Sequence, residues 1–141
     1  MTVPLVYACS GGSGAGQVAN GVAVCLDRLE LAEMSSIVAV GGDSHRHLEV
    51  VRSGRPIIAI DGCQHDCVLH VLARHDITPI LHVRLDRRGT DRHYHESHEE
   101  AVIERELAYV ADVIQRLEWG EGPDSVSELV RHEVTGAAEG L

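Results

Sequence analysis

The sequence predicts an α/β fold: a single three-layer, Rossmann-like domain with a mostly parallel four-stranded sheet, plus C-terminal helices. Three observations predict it. Short apolar runs at 3–8, 37–40, 57–60 and 77–85 have the length and β-branched content of strands. Stretches with apolar residues at helical spacing alternate with these runs, and glycine-containing turns mark several of the handovers. Such alternation favours parallel strands joined by right-handed crossovers.

The run 3–8 enters Cys9-Ser10-Gly11-Gly12-Ser13-Gly14-Ala15-Gly16, behind which Val18, Val22, Cys25, Leu26 and Leu29 recur at helical spacing. The second run, 37–40, is expected to end in Gly41-Gly42-Asp43-Ser44-His45-Arg46-His47 before a short helix at 48–51. The third, 57–60, is bounded by Pro56 and Gly62, and its turn carries Cys63 and Cys67 into a helix at 67–75. In the fourth, Pro79 obscures the register. Residues 1–90 are thus read as the α/β unit, and 91–141 as an acidic, histidine-containing segment with helices packing on the same domain. There, Ile103, Leu107, Val110, Ile114 and Leu117 step by four and three. That stripe either covers the protein's own sheet or, being heptad-like, forms a homodimer contact through the 101–118 helix. Gly120-Glu121-Gly122-Pro123 ends the helix, Asp124 or Ser125 is placed to cap a last short one, and 136–141 reads as frayed.

Composition excludes several function classes. The net charge of −10 is uneven: residues 1–90 carry 8 basic and 9 acidic groups, whereas 91–141 carry 4 and 13. An acidic tail on a near-neutral core argues against a nucleic-acid footprint and against an anionic membrane surface. All 12 basic residues are arginine, so Schiff-base chemistry and a P-loop lysine are both excluded. With no signal-peptide pattern and no apolar run near the roughly 20 residues that span a bilayer, a cytoplasmic protein with reduced thiols is expected.

The chemistry concentrates on the turns. Cys9 follows the first strand and Cys63 the third, and in the common doubly wound order those strands are neighbours, about 4.8 Å apart. Cys9, Cys63 and Cys67 are therefore expected to converge at the carboxyl edge of the sheet. Cys67 opens a helix, whose N-terminal dipole lowers a thiol's pKa. Three thiolates with a histidine suit one zinc ion in a tetrahedral site; the fourth position falls to a histidine, with His45 and His47 the first candidates, or stays open to water or substrate, or the metal has been lost. Iron–sulfur ligation ordinarily wants a fourth cysteine. Asp61 and His65 are read as supports that orient a ligand, with Asp61 alternatively capping its turn. His93, His95 and His98 read as an accessory metal site or a solvated acidic loop. Ser10, Gly11, Gly12, Ser13 and Gly14 form a glycine-rich loop before a helix, suited to an anion. It lacks both the Walker lysine and the arginine of a cysteine-phosphatase loop. Cys25 reads as core, and His70, His75, His82 and His132 as surface or half-buried residues without a role.

Cys9-Ser10-Gly11, Gly16-Gln17, Ile60-Asp61-Gly62-Cys63 and Cys67, in that order, resemble the DGC domain family, named for the Asp-Gly-Cys motif. The resemblance runs from about Val6 to Leu85. It implies zinc bound through cysteines, with Cys9, Cys63 and Cys67 at matching positions and no assigned catalysis. The chain departs from the pattern at Gly12, where the family's opening motif has a second cysteine, and at Ser36, near which relatives carry another. Two readings of different kind stand beside zinc binding. One is a thiol enzyme for redox or group transfer, using Cys9 or Cys63 with His65 as base and the glycine loop holding an anion. The other is a metal carrier or sensor using the histidine-rich segment.

Overall fold

A computed structural model of the chain describes residues 3–90, 95 and 100–118. Four strands, β1 (Leu5–Ala8), β2 (Glu33–Met34), β3 (Ile57–Asp61) and β4 (Leu81–Arg84), form one sheet in the order β2-β1-β3-β4, with every pairing parallel. Five helices accompany them: α1 (Gly14–Arg28), α2 (Ile37–Gly41), α3 (His45–Val51), α4 (Cys67–Arg74) and α5 (Glu100–Glu118). The expected α/β architecture and the pairing of first and third strands are both present.

Strand period decides the layers. Val6, Ala8, Ile58, Ile60, Leu81 and Val83 point to one face and pack with Val18, Val22 and Leu26 of α1 and Val110, Val113 and Ile114 of α5. Leu5, Tyr7, Ile57 and Ala59 point to the other, against Val40, Val51, Val68 and Leu72 of α2, α3 and α4. β3 is buried along its whole length, as its unbroken Ile57-Ile58-Ala59-Ile60 run requires of a central parallel strand.

The second strand differs from the sequence reading. Residues 37–40 are helical, and the strand that pairs with β1 is the preceding dipeptide Glu33–Met34. Ser36 starts the helix by accepting the Ala39 N–H on its Oγ at 3.1 Å. Val40 is fully buried and Ile37 partly so, while Val38 is 76% exposed, an i, i+3 pattern hidden inside a β-branched run. The fourth strand is shorter than expected, and Leu85–Arg88 turns into a 3-10 helix after it. The last short helix and the frayed end lie outside the described residues.

The α5 stripe covers the protein's own core. Ile103, Leu107 and Leu117 flank the buried Val110, Val113 and Ile114 over α1, and a Cβ at Gly21 would stand 2.7 Å from Ile103 Cδ1. The face weighed as a dimer contact is thus the one turned inward. Glu106, fully buried on this helix, receives Arg88 Nε at 2.6 Å and Arg105 Nε at 3.1 Å. Arg88 also stacks over Tyr109 at 3.4 Å, and Arg105 Nη2 donates to Thr90 Oγ1, so a charge cluster ties α5 to the segment that leaves β4. Replacing Glu106 with Ala is expected to cost about 2–3 kcal/mol in chemical denaturation, below the roughly 3–5 kcal/mol of a fully buried pair because both arginines keep some water.

Candidate functional site

From β1 the chain crosses to β2 on one side of the sheet and later to β3 on the other, so the carboxyl ends of β1 and β3 form the topological switch point. Cys9 stands there because its N–H extends the ladder, donating to Ile60 O at 3.0 Å. Gly62 follows β3, and a Cβ on it would lie 2.7 Å from both Ala15 C and Gly16 N in the first turn of α1. Only glycine lets the two segments meet so closely. Cys63 follows directly and brings the second thiol to the edge.

The turn after Cys63 is tightened by Asp66, whose N–H donates to Cys63 O at 3.2 Å and whose backbone is left-handed at φ 49°. Asp66 precedes α4 without capping it by side chain. The cap comes from the strand: Asp61, 1% exposed, accepts the Val68 N–H at 2.9 Å on Oδ1 and the Leu69 N–H at 3.3 Å on Oδ2. His82 Nε2 lies 2.8 Å from the same Asp61 Oδ2. It is on β4 opposite Ala59, with Arg84 two residues on and opposite Asp61. Arg84 binds Asp86 through Nε at 3.2 Å and Nη2 at 2.8 Å, while its Nε stands 3.4 Å from Asp66 Oδ1.

Cys9 and Cys63 are half-buried, Cys67 is exposed at the first position of α4, and all are free thiols. The Cys67 thiol is held above its ordinary pKa, first by partial desolvation and then by negative charge at Cys9, Asp61 and Cys63. Desolvation, with the nearby negative charge behind it, therefore outweighs the helix N-terminus expected to lower it. Among the described residues, the ligand atoms that all come within 4.8 Å of one another are those of Asp61, Asp66 and His82; the three sulfurs approach less closely.

His45 and His47 are not at this edge. The residues before them form α2, so Asp43 reaches the last turn of α4, where it binds Arg74 Nη2 at 2.6 Å. The eight residues from Cys67 to Arg74 rise about 12 Å, which separates the two histidines from the thiols. His45 instead pairs with Glu49 at 3.2 Å with its side chain 92% exposed, and His47 Nδ1 meets Ser44 Oγ at 2.9 Å. His65 is exposed on the cysteine turn, His95 is exposed, and His93 and His98 lie outside the described residues. In the glycine loop, Ser13 caps α1 by accepting the Gly16 N–H at 3.1 Å, and Gln17 Nε2 donates to Ser10 O and Gly11 O. Ser10, Gly11 and Gly12 are exposed and Gly14 is half-buried. A cleft of about 450 Å³ opens beside this loop, lined by Ser10, Asn20, Met34, Ser35 and Ile37 among others.

His82, Asp66 and Arg84 were not legible as site residues. The available signal was the alternation of His82 and Arg84 with buried Leu81 and Val83, which puts both on the α4 face of β4.

A parallel 2-1-3-4 sheet with a cysteine cluster at its switch point, braced by a carboxylate-histidine network, defines a small α/β protein of the three-layer class. The chain belongs to the DGC domain family, whose model matches residues 5–110. It is 50% identical over 103 residues to the "Anaerobic and virulence modulator AnvM" of Pseudomonas aeruginosa strain PAO1, an alignment covering 73% of this chain and 79% of that protein. No solved structure matches the chain. Among the described residues, no helix is long and apolar enough to cross a membrane.

Asp61→Ala removes the acceptor for two helix amides and the partner of His82. It is expected to lower stability by roughly 1–3 kcal/mol, read from denaturant midpoints. Gly62→Ala should destabilise by at least about 1–3 kcal/mol, because backbone atoms of α1 stand where its methyl would go.

Proposed function

We propose that this chain is a zinc-binding protein whose metal is held by Cys9, Cys63 and Cys67, leaving one position for water or a ligand. The observation that carries this reading is the delivery of three free thiols to one sheet edge, close enough for Cys9 and Cys63 to act electrostatically on Cys67. Soft donors in that number suit zinc. Desolvation and, behind it, the negative charge at Cys9 and Cys63 raise the Cys67 pKa, and a divalent cation would offset both; a cytoplasmic setting would keep the thiols reduced. When bound, zinc would supply structural closure of the loops and Lewis acidity at its open position. The relative's name, a modulator, supports a modulating role.

Metal analysis of the untagged protein tests the reading. About one zinc per chain is expected in the wild type and loss of it in Cys63→Ser, whereas a metal-free wild type refolded with zinc would sink the proposal. The pH dependence has a definite sign. Zinc takes the thiolate, and Cys67 holds its proton to higher pH than an ordinary thiol, so apparent zinc affinity should climb through and beyond the usual thiol range and fall on acidification.

A second reading, favoured by the free thiols at this edge, is a thiol enzyme using Cys9 or Cys63. Alkylation kinetics separate the two, since a catalytic thiolate reacts rapidly at neutral pH and a zinc-bound one only after chelation.

A further inference from the structure

We propose that Asp61, Asp66 and His82 form a second cation site, built from oxygen and nitrogen donors and distinct from the thiols, that takes a divalent first-row metal of the Mn2+ type. Each residue presents one ligand atom, and the three lie within 4.8 Å of one another. Metal–ligand bonds of about 2.0–2.2 Å place neighbouring donors roughly 3–3.5 Å apart. The observed separations bracket that value: 2.8 Å from His82 Nε2 to Asp61 Oδ2 and 3.7 Å from His82 Nε2 to Asp66 Oδ1. Ligation thus needs only side-chain adjustment.

Two further observations point to a ligand here. Asp66 Oδ1 is buried and accepts no hydrogen bond among the described residues, although it stands within charge range of both His82 and Arg84. A buried carboxylate oxygen left in this state is costly unless something of opposite charge meets it. Arg84 does not fully serve, because Asp86 engages its Nε and Nη2. Asp66 and Asp86 therefore share one guanidinium, Asp61 has only amides and an imidazole, and a divalent cation between Asp61 and Asp66 balances their charge. Asp61, meanwhile, is already aimed by the Val68 and Leu69 amides, the kind of outer support that orients ligating carboxylates. On ligation the lone pair of His82 Nε2 faces the ion and the ring proton resides on Nδ1. Carboxylates favour the harder ions and imidazole the first-row transition series, so the mixed set suits Mn2+ while the thiols do not.

The site is tested with Mn2+ alone on the full chain, following the free ion by electron paramagnetic resonance. One Mn2+ per chain is expected in the wild type and in a Cys9→Ser, Cys63→Ser, Cys67→Ser variant. Asp66→Asn and His82→Ala should each weaken it tenfold or more while circular dichroism shows the fold retained. Asp61 is left intact because it caps α4. If the triple variant fails to fold, wild type with alkylated thiols replaces it, with the same expectation. No Mn2+ binding, binding that vanishes with the thiols, or binding indifferent to both substitutions would each overturn the proposal. Because the probe protein lacks the thiols, the result stands apart from that for zinc: loss of zinc without loss of Mn2+ would fault only the earlier reading.

Discussion

The carboxylate of Asp61 is the interaction on which the rest of the site depends. It closes a central strand that is buried throughout, and it cannot be hydrated there. Two amides of α4 and the imidazole of His82 satisfy it instead. Through those bonds one side chain sets the start of α4, hence the place of Cys67, and fixes β4 against β3 at the level of the thiols. The Asp-Gly-Cys motif then has a division of labour. Asp61 docks the following helix, Gly62 admits α1 to contact, and Cys63 projects at the resulting edge.

Around this constraint the sheet supplies direction. Parallel strands send all their carboxyl ends to one side, and the order β2-β1-β3-β4 makes β1 and β3 the pair from which the crossovers diverge. Cys9 and Cys63 are therefore brought together by topology, although more than fifty residues separate them in the chain. Charge is sorted on the same plan. Acidic and soft groups gather at the carboxyl edge with Arg84 as their shared cation, while Arg74 and His75 gather around Asp43 at the far end of α4.

The acidic C-terminal helix is joined to the domain by apolar packing along one face and by Glu106 between two arginines. Through Glu106 and Tyr109 the helix grips Arg88, which fixes it to the turn after β4. The helix thus belongs to the core of the domain, and its apolar stripe is occupied within the chain.

Local pattern made much of this legible. Continuous apolar runs marked β1 and β3, the glycines and cysteines marked the turns behind them, and period-four spacing marked α1, α4 and α5. These signals are local because burial of a whole strand or one helix face imposes its period on the residues themselves. The motif of Asp61, Gly62 and Cys63 likewise identified the edge that matters. What the tertiary structure alone decided was which side chains meet there. A two-residue edge strand leaves no period to read, so residues 37–40 took the strand's place in the reading, and His45 and His47 were carried to the wrong end with them. His82 reached Asp61 through the register of β4 on β3, a pairing of residues twenty-three apart in sequence and visible in neither segment by itself.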